Sequence, residues 1–141
     1  MSSSKLKESI ALVTGGTGLT GAHVLYNLVA NGSHVKALRR HSSSMKIVHN
    51  VFTNINAETA PDLLRRIEWV EADILDRLAI YELLANVHHV YHIAACVSFD
   101  PAKNDQIIHT NIGGTENIIE ASLENKVDKL CLVSSIAATG N

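Results

Sequence analysis

The chain has 141 residues, a length that suits one domain with a real hydrophobic core. A net charge of −2 and a pI near 6.4 exclude the strongly basic surface typical of proteins that bind nucleic acid or membranes. Hydrophobic residues make up 46% of the chain and charged residues 18%, which is ordinary for a globular α/β protein.

The sequence shows neither a secretory signal nor an apolar run long enough to span a membrane, so we expect a cytoplasmic protein. Cys96 and Cys131 both lie in apolar runs, which predicts two reduced thiols in the core. The eight histidines do not combine with cysteine or carboxylate residues at metal-ligand spacing. We therefore predict no metal site.

The first predicted element is a short buried strand, residues 10–13, followed by a glycine-rich turn and a helix. Four of the eight glycines lie between positions 15 and 21. Free amides at a helix N-terminus favour an anion, and the missing Cβ atoms let a diphosphate approach the main chain. The alternative is an ordinary strand–turn–helix connection, which needs one glycine rather than four.

Two dinucleotide-binding patterns overlap in this turn. Gly16, Gly18 and Gly21 fit G-x-G-x-x-G, whereas Gly15, Gly18 and Gly21 fit G-x-x-G-x-x-G, and spacing alone does not separate them. The residues predicted to bind the cofactor here are Thr14, Gly15, Gly16, Thr17, Gly18, Leu19 and Gly21.

A second strand is predicted over residues 34–38, after a helix stop at Asn31-Gly32. The residue that ends this strand discriminates between cofactors, since an acid there binds the ribose 2′-hydroxyl of NAD and an arginine binds the 2′-phosphate of NADP. Arg39 and Arg40 occupy that place, and no Asp or Glu occurs between Glu8 and Glu58. We predict NADP, with NAD left open; the alternative is that both arginines are simply solvated.

The next segments predict further alternating helices and strands. Ser42-Ser43-Ser44 predicts a turn before a helix whose core face is Met45, Val48, Phe52 and Ile55. Pro61 suits the first turn of a short helix. A third strand is predicted over residues 67–72, and Asp76 is predicted to cap a helix over residues 77–85.

Asp73 follows the third strand and would therefore face the crevice where parallel sheets bind ligands; the alternative is a capping role. A fourth strand is predicted over residues 87–95. The small side chains of Ala94 and Ala95 at its end leave room for a ribose, and we interpret His92 as a structural, hydrogen-bonded histidine.

A long helix is predicted after Asp100-Pro101, with Ile108, Ile112, Thr115 and Ile119 on one face. Gly113 and Gly114 inside it cost about 1 kcal/mol each relative to alanine, so a backbone or a ligand is expected to approach them closely. An exposed helix with chance glycines is the alternative. The fifth predicted strand, residues 129–133, ends at Ser134-Ser135.

Five segments together resemble the extended short-chain dehydrogenase/reductases, which are NAD(P)-dependent epimerases, dehydratases and reductases. The matching segments are Thr14-Gly15-x-x-Gly18-x-x-Gly21, Asp73-x-x-Asp76, His92-x-Ala94-Ala95, Asn111-x-x-Gly114-Thr115 and Ser134-Ser135 with Gly140. The resemblance implies a doubly wound parallel sheet of the Rossmann type over residues 1–141, with strand order 3-2-1-4-5, ending before the sixth strand.

The resemblance also implies roles for single residues. Asp73 and Ile74 would contact adenine, Ala94 and Ala95 would border the cofactor, and Asn111 would position the neighbouring strand, water or substrate. Ser135 would be the catalytic serine that hydrogen-bonds the reacting substrate oxygen, with Ser134 beside the cofactor. Ser98 lies in a segment that in relatives lines the substrate side.

The pattern breaks at the family's general acid/base, a Tyr with a Lys four residues later. Tyr26, Tyr81 and Tyr91 are each followed at that spacing by alanine. We therefore expect this chain to lack hydride-transfer activity by itself. We also expect poor solubility, because the fifth strand would expose an apolar edge.

The arginines favour a carbonyl reductase similar to dihydroflavonol reductase-like proteins over a nucleotide-sugar epimerase. The resemblance implies a small-molecule substrate, no nucleic-acid or membrane partner, and dimerisation of the complete protein. Two alternatives stay open, a catalytically silent NADP-binding sensor or regulator and an inert fragment without a stable fold.

Overall fold

The computed structural model describes residues 9–97 and 99–140. This part of the chain forms five strands and five α-helices, with two consecutive helices between the second and third strands and 3₁₀ turns at Pro101–Lys103 and Ile136–Thr139. The strands are β1 (Ile10–Thr14), β2 (His34–Arg39), β3 (Ile67–Glu71), β4 (His89–His92) and β5 (Lys129–Leu132). The helices are α1 (Leu19–Ala30), α2 (Lys46–Ile55), α3 (Ala60–Arg65), α4 (Arg77–Leu83) and α5 (Asn104–Glu124).

The strands form one parallel sheet in the order β3-β2-β1-β4-β5, which confirms the predicted doubly wound topology. β1 lies at the centre, with Val13 opposite Ala37 of β2 on one side and Tyr91 of β4 on the other. The chain therefore reverses its direction of winding between β1 and β4. Parallel sheets of this kind bind ligands at the carboxyl ends of the strands on either side of that point.

Two apolar layers cover the two faces of the sheet, because successive strand side chains point to opposite sides. Val13 packs with Leu25, Val35 and Phe52 in the layer under α1, α2 and α3. Its neighbour Leu12 packs instead in the layer under α4 and α5. Burial on both faces explains why β1 reads as a continuous apolar run rather than an alternating one.

The isoleucines that share one face of α5 are not on its buried face. Ile108, Ile112 and Ile119 are 55%, 55% and 39% exposed, and the buried residues are Gly114, Ile118, Ala121 and Ser122. Both sets have helical spacing, so periodicity could not choose between them. The small residues determine which face of α5 is buried, because Gly114 allows the helix to approach the β3–α4 connection closely. A Cβ atom on Gly114 would lie 2.8 Å from Ile74 Cγ2.

Several boundaries also differ from the predictions. β4 spans only His89–His92 rather than residues 87–95, and α4 ends at Leu83. The prediction that both cysteines lie in the core is wrong. Cys96 is half-buried in the segment after β4, and Cys131 is exposed on β5. Every residue of β5 is exposed, and the strand lies at one edge of the sheet with β4 as its one described neighbour.

Ile55, predicted to share the core face of α2, is 46% exposed, since the buried residues there are Val48, Val51 and Phe52. Other local predictions are confirmed. α1 ends at Ala30, and Gly32 has a φ of +83°, the left-handed backbone that glycine adopts without strain. Asp76 caps α4, with its Oδ1 accepting a hydrogen bond from the amide of Ala79 at 3.0 Å.

Over residues 9–97 and 99–140, no helix is both long enough and apolar enough to cross a bilayer. Within the same ranges, no three His, Cys, Asp or Glu side chains come together as a candidate metal site.

Candidate functional site

A cleft of about 570 Å³ lies at the carboxyl ends of the strands, bounded by the glycine turn, the ends of β2, β3 and β4, and α5. Its volume is within the range of small-molecule sites, and its position is the one where doubly wound sheets bind ligands. Eleven of the sixteen predicted site residues line this cleft, namely Gly15, Thr17, Gly18, Leu19, Gly21, Arg40, Asp73, Ile74, Ala94, Ala95 and Asn111. The other five, Thr14, Gly16, Arg39, Ser134 and Ser135, lie outside its wall.

The glycine turn is packed so tightly that two of its glycines have structural roles. Gly15 has a φ of +70°, and a Cβ atom there would lie 2.7 Å from the amide nitrogen of Ala94. A Cβ atom on Gly21 would collide with the carbonyl oxygen of Gly15. These two glycines therefore close the turn against β4 and against the start of α1.

Gly18 differs from them, because a Cβ atom there would meet only the carbonyl oxygen of Gly15, at 3.6 Å. It is the N-cap of α1, and no side chain caps that helix end. The first amides of an α-helix have no intrahelical partner and carry the positive end of the helix dipole. The cleft wall therefore combines free amides with an open glycine, which is the geometry that a diphosphate requires.

A buried hydrogen-bond network ties β1 to β4 below this turn. Thr14 Oγ1 accepts hydrogen bonds from the amides of Ile93 and Ala94, both at 3.1 Å. It also lies 2.7 Å from Nδ1 of His92, whose Nε2 lies 3.0 Å from Oγ1 of Thr115 on α5. Thr14 thus acts from beneath the cleft rather than on its wall.

The network assigns the tautomer of His92. Thr14 Oγ1 already accepts two amide hydrogens, so its own proton points to Nδ1, and Nε2–H donates to Thr115. Burial lowers the pKa of His92 and keeps the ring neutral. The prediction of a structural, hydrogen-bonded histidine is confirmed.

Arg39 ends β2 and Arg40 follows it, and the two side chains are placed differently. Arg40 lines the cleft together with Ser43, whose Oγ accepts a hydrogen bond from the amide of Arg40 at 3.2 Å. Arg39 NH2 instead forms an ion pair with Glu71 Oε1 at 2.9 Å. Leu38 and Arg40 on either side of it line the cleft, whereas Arg39 is not part of the cleft wall.

Glu71 is the residue that sequence reasoning missed. No acid lies near the arginines along the chain, but the parallel register places Glu71 of β3 directly beside Arg39 of β2. His41 Nδ1 also lies 3.2 Å from Glu71 Oε2. The hydrogen bond from His41 and the charge of Arg39 hold the pKa of Glu71 below its usual value, against partial desolvation that raises it. Only strand pairing, not spacing along the chain, could have revealed this contact.

Asp73 faces the cleft as predicted, and its side chain stabilises a turn rather than capping a helix. Its Oδ1 accepts a hydrogen bond from the amide of Leu75 at 2.9 Å, which fixes the turn after β3, and the residue also lines the cleft. Asn117 on α5 donates to the carbonyl oxygen of Ile74 at 3.0 Å and holds the same turn from the other side.

Asn111 on α5 fixes the segment after β4. Its Oδ1 accepts a hydrogen bond from the amide of Cys96 at 2.7 Å, and its Nδ2 donates to the carbonyl oxygen of Cys96 at 2.9 Å. This pair of bonds mimics a neighbouring strand and shapes the cleft wall at Ala95 and Cys96.

Ser134 and Ser135 follow β5 and are exposed. The carbonyl oxygen of Ser135 accepts a hydrogen bond from the amide of Ala138 and begins the 3₁₀ turn there. Ser98, predicted to contact substrate, lies outside the described residues.

The sequence profile of the NAD dependent epimerase/dehydratase family matches residues 11–141. The chain belongs to this family. The resemblance to the extended short-chain dehydrogenase/reductases and the fold class predicted from it are thereby confirmed.

Among curated proteins, cinnamoyl-CoA reductase 1 of rice is 28% identical over 94% of this chain and 36% of its own length. A putative dihydroflavonol 4-reductase of Synechocystis is 29% identical over 91% of this chain and 33% of its own length. A UDP-glucose-4-epimerase of Stenotrophomonas maltophila, solved with bound NAD and formylated UDP-arabinopyranose, superposes with a TM-score of 0.74 at 27% identity, over 94% of this chain and 39% of that one. The chain spans about a third of the length of these curated relatives.

Proposed function

We propose that this chain binds NADP(H) in the cleft and forms the cofactor-binding part of a reductase that acts on a carbonyl or hydroxyl substrate. The observation that carries the proposal is the combination on one cleft wall of the uncapped start of α1, the open Gly18 and Arg40. The relatives with reductase names support the choice of reaction class.

The residues present fit a dinucleotide along the whole cleft. The amides at the start of α1 and the space above Gly18 would hold the diphosphate. Asp73 and Ile74 at the end of β3 would border the adenine, and the small Ala94 and Ala95 would leave room for the second ribose. When bound, the nicotinamide supplies or accepts a hydride; this chain's residues bind and orient it.

The preference for NADP rests on Arg40 and Ser43. Both line the cleft where β2 ends, the place at which dinucleotide-binding folds meet the adenosine ribose. A guanidinium and a hydroxyl are donors suited to a phosphate monoester, whereas an acid on this wall would favour an unsubstituted ribose. NAD remains a ligand in this proposal, bound more weakly for lack of that phosphate contact.

We assign Ser135 a role only in the reduction proposed for the complete protein, not in nucleotide binding. Following the family resemblance, its hydroxyl would hydrogen-bond the substrate oxygen at the carboxyl end of β5. A proton donor for that oxygen, a Tyr with a Lys four residues later in relatives, does not occur among Tyr26, Tyr81 and Tyr91. The proposal for residues 1–141 is therefore nucleotide binding, and turnover is proposed for the complete protein.

Isothermal titration of the purified protein with NADP⁺ and with NAD⁺ tests this function. We expect tighter binding of NADP⁺, and we expect Arg40→Gln to weaken it about tenfold or more while leaving NAD⁺ affinity unchanged, because about 1.5–3 kcal/mol of charge-assisted hydrogen bonding is lost. Arg65→Gln, which removes the same charge outside the cleft, is the matched control. Binding of neither nucleotide would refute the proposal, and equal loss of both in Arg40→Gln would refute the NADP preference.

A further inference from the structure

The pairing of Arg39 is the feature of this molecule that the proposed function does not use. Arg39 is the last residue of β2 and Arg40 follows it, yet Arg40 lines the cleft and Arg39 is paired with an acid on the next strand. The contact is built into the sheet, since Arg39 and Glu71 are register partners at the ends of neighbouring parallel strands.

Arg39 keeps unused hydrogen-bonding capacity in this arrangement. Its NH2 donates to Glu71 Oε1, but its buried Nε has no acceptor among the described residues. The side chain of Arg39 is 30% exposed, so the guanidinium lies at the protein surface, at the carboxyl end of β2, rather than in the core. A partly exposed ion pair of this kind is held weakly, and a small change in charge can redirect it.

Glu71 contacts two side chains at once. Oε1 contacts Arg39 and Oε2 contacts His41, which is almost fully exposed on the segment that also carries Arg40 and Ser43. The carboxylate therefore anchors the residues before and after Arg40 while standing outside the cleft wall itself. Its charge offsets that of Arg39 next to the place proposed for the 2′-phosphate.

We propose that Glu71 is a specificity-determining residue, which limits the preference for NADP by holding Arg39 in an ion pair and leaving Arg40 as the guanidinium available to the 2′-phosphate. The inference rests on the proposed function, because it concerns the same nucleotide in the same cleft. It adds that the sequence Arg39-Arg40 contributes one phosphate ligand rather than two.

Substitution of Glu71 by the isosteric glutamine tests this role by titration with NADP⁺ and NAD⁺. We expect E71Q to bind NADP⁺ about three- to tenfold more tightly, with NAD⁺ affinity unchanged, because a second guanidinium adds a charge-assisted contact. E68Q is the matched control, since it removes the same charge from an exposed glutamate on the same strand. It should leave both affinities unchanged.

The double variant R39Q/E71Q separates release of Arg39 from simple removal of a negative charge. If Arg39 is the group released, the gain disappears in R39Q/E71Q, and R39Q alone changes NADP⁺ affinity less than about twofold. A gain that survives in R39Q/E71Q, no gain in E71Q over E68Q, or a large loss in R39Q alone would each overturn the inference.

The outcomes for wild-type protein and Arg40→Gln keep the two proposals distinguishable. If wild-type protein binds neither nucleotide, the proposed function fails and this inference fails with it. If Arg40→Gln loses NADP⁺ selectively while the Glu71 variants behave like E68Q, the proposed function stands and only the role of Glu71 is refuted.

Discussion

Thr14 and His92 illustrate how single residues position the cleft without touching its contents. The hydroxyl of Thr14 holds the amides of Ile93 and Ala94, and the amide of Ala94 lies where a Cβ atom on Gly15 would stand. A neutral His92 completes the network by accepting from Thr14 and donating to Thr115. The backbone at the cleft therefore depends on the protonation state of one buried ring.

This dependence predicts how stability varies with pH. The pKa of His92 is lowered below its ordinary value of 6.5, so the unfolded chain binds the proton more readily than the folded one. We expect the free energy of unfolding to fall as the pH drops below about 6.5, until the folded pKa is passed. The contribution of Glu71 to stability changes at lower pH. Because its pKa is lowered in the folded protein, this contribution is lost only as the pH falls below the ordinary pKa of 4.5.

Chemical denaturation between pH 5 and pH 8 measures this effect, with His92→Gln as the variant and His109→Gln, on an exposed histidine of α5, as the control. The difference in unfolding free energy between wild-type protein and His92→Gln should shrink as the pH falls. A constant difference across the range would contradict the assigned role of His92.

The glycine turn with α1 is the element on which binding depends, and its glycines have separable roles. Gly21 closes the turn against Gly15, whereas a Cβ atom on Gly18 would make only an ordinary contact with the carbonyl oxygen of Gly15. Sequence spacing located this element correctly but could not assign these roles, because both overlapping motifs contain both glycines. The roles follow from which backbone atoms the turn brings together.

Two alanine substitutions test that separation. Gly21→Ala should cost about 2 kcal/mol of stability or more, because the added methyl group displaces backbone. Gly18→Ala should cost about 1 kcal/mol, the difference between glycine and alanine at an N-cap, yet weaken NADP⁺ binding more than about tenfold by filling the space for the diphosphate. Thermal melting and titration together measure both effects. Normal NADP⁺ affinity in Gly18→Ala would place the diphosphate elsewhere.

Features of single elements could be predicted where they depend on residues close together in the sequence. The cap at Asp76 and the turn at Gly32 depend on neighbouring residues and were predicted correctly. The buried face of α5 and the contact between Arg39 and Glu71 depend on which elements pack together, so a single sequence could not reveal them. The strand order was accessible only through the family resemblance.

At the scale of the whole molecule, β5 forms one edge of the sheet in the described part of the chain and exposes Leu130 and Leu132 by 38% and 51%. Exposed apolar edge strands pair with other chains. We expect concentration-dependent association, and we expect Leu132→Lys to shift the protein toward the monomer in sedimentation velocity. Leu78→Lys, at a 66% exposed position on α4, should not. Equal behaviour of the two variants would remove β5 from the explanation.

The roles assigned to the cleft residues depend on one claim, that the cleft between β1 and β4 holds a dinucleotide by its diphosphate. A crystal structure of the protein grown with NADP⁺ tests it most directly. We expect the diphosphate against the amides at the start of α1, above Gly18, with the 2′-phosphate at Arg40 and Ser43. A nucleotide bound elsewhere, or an adenosine ribose turned away from Arg40, would contradict it.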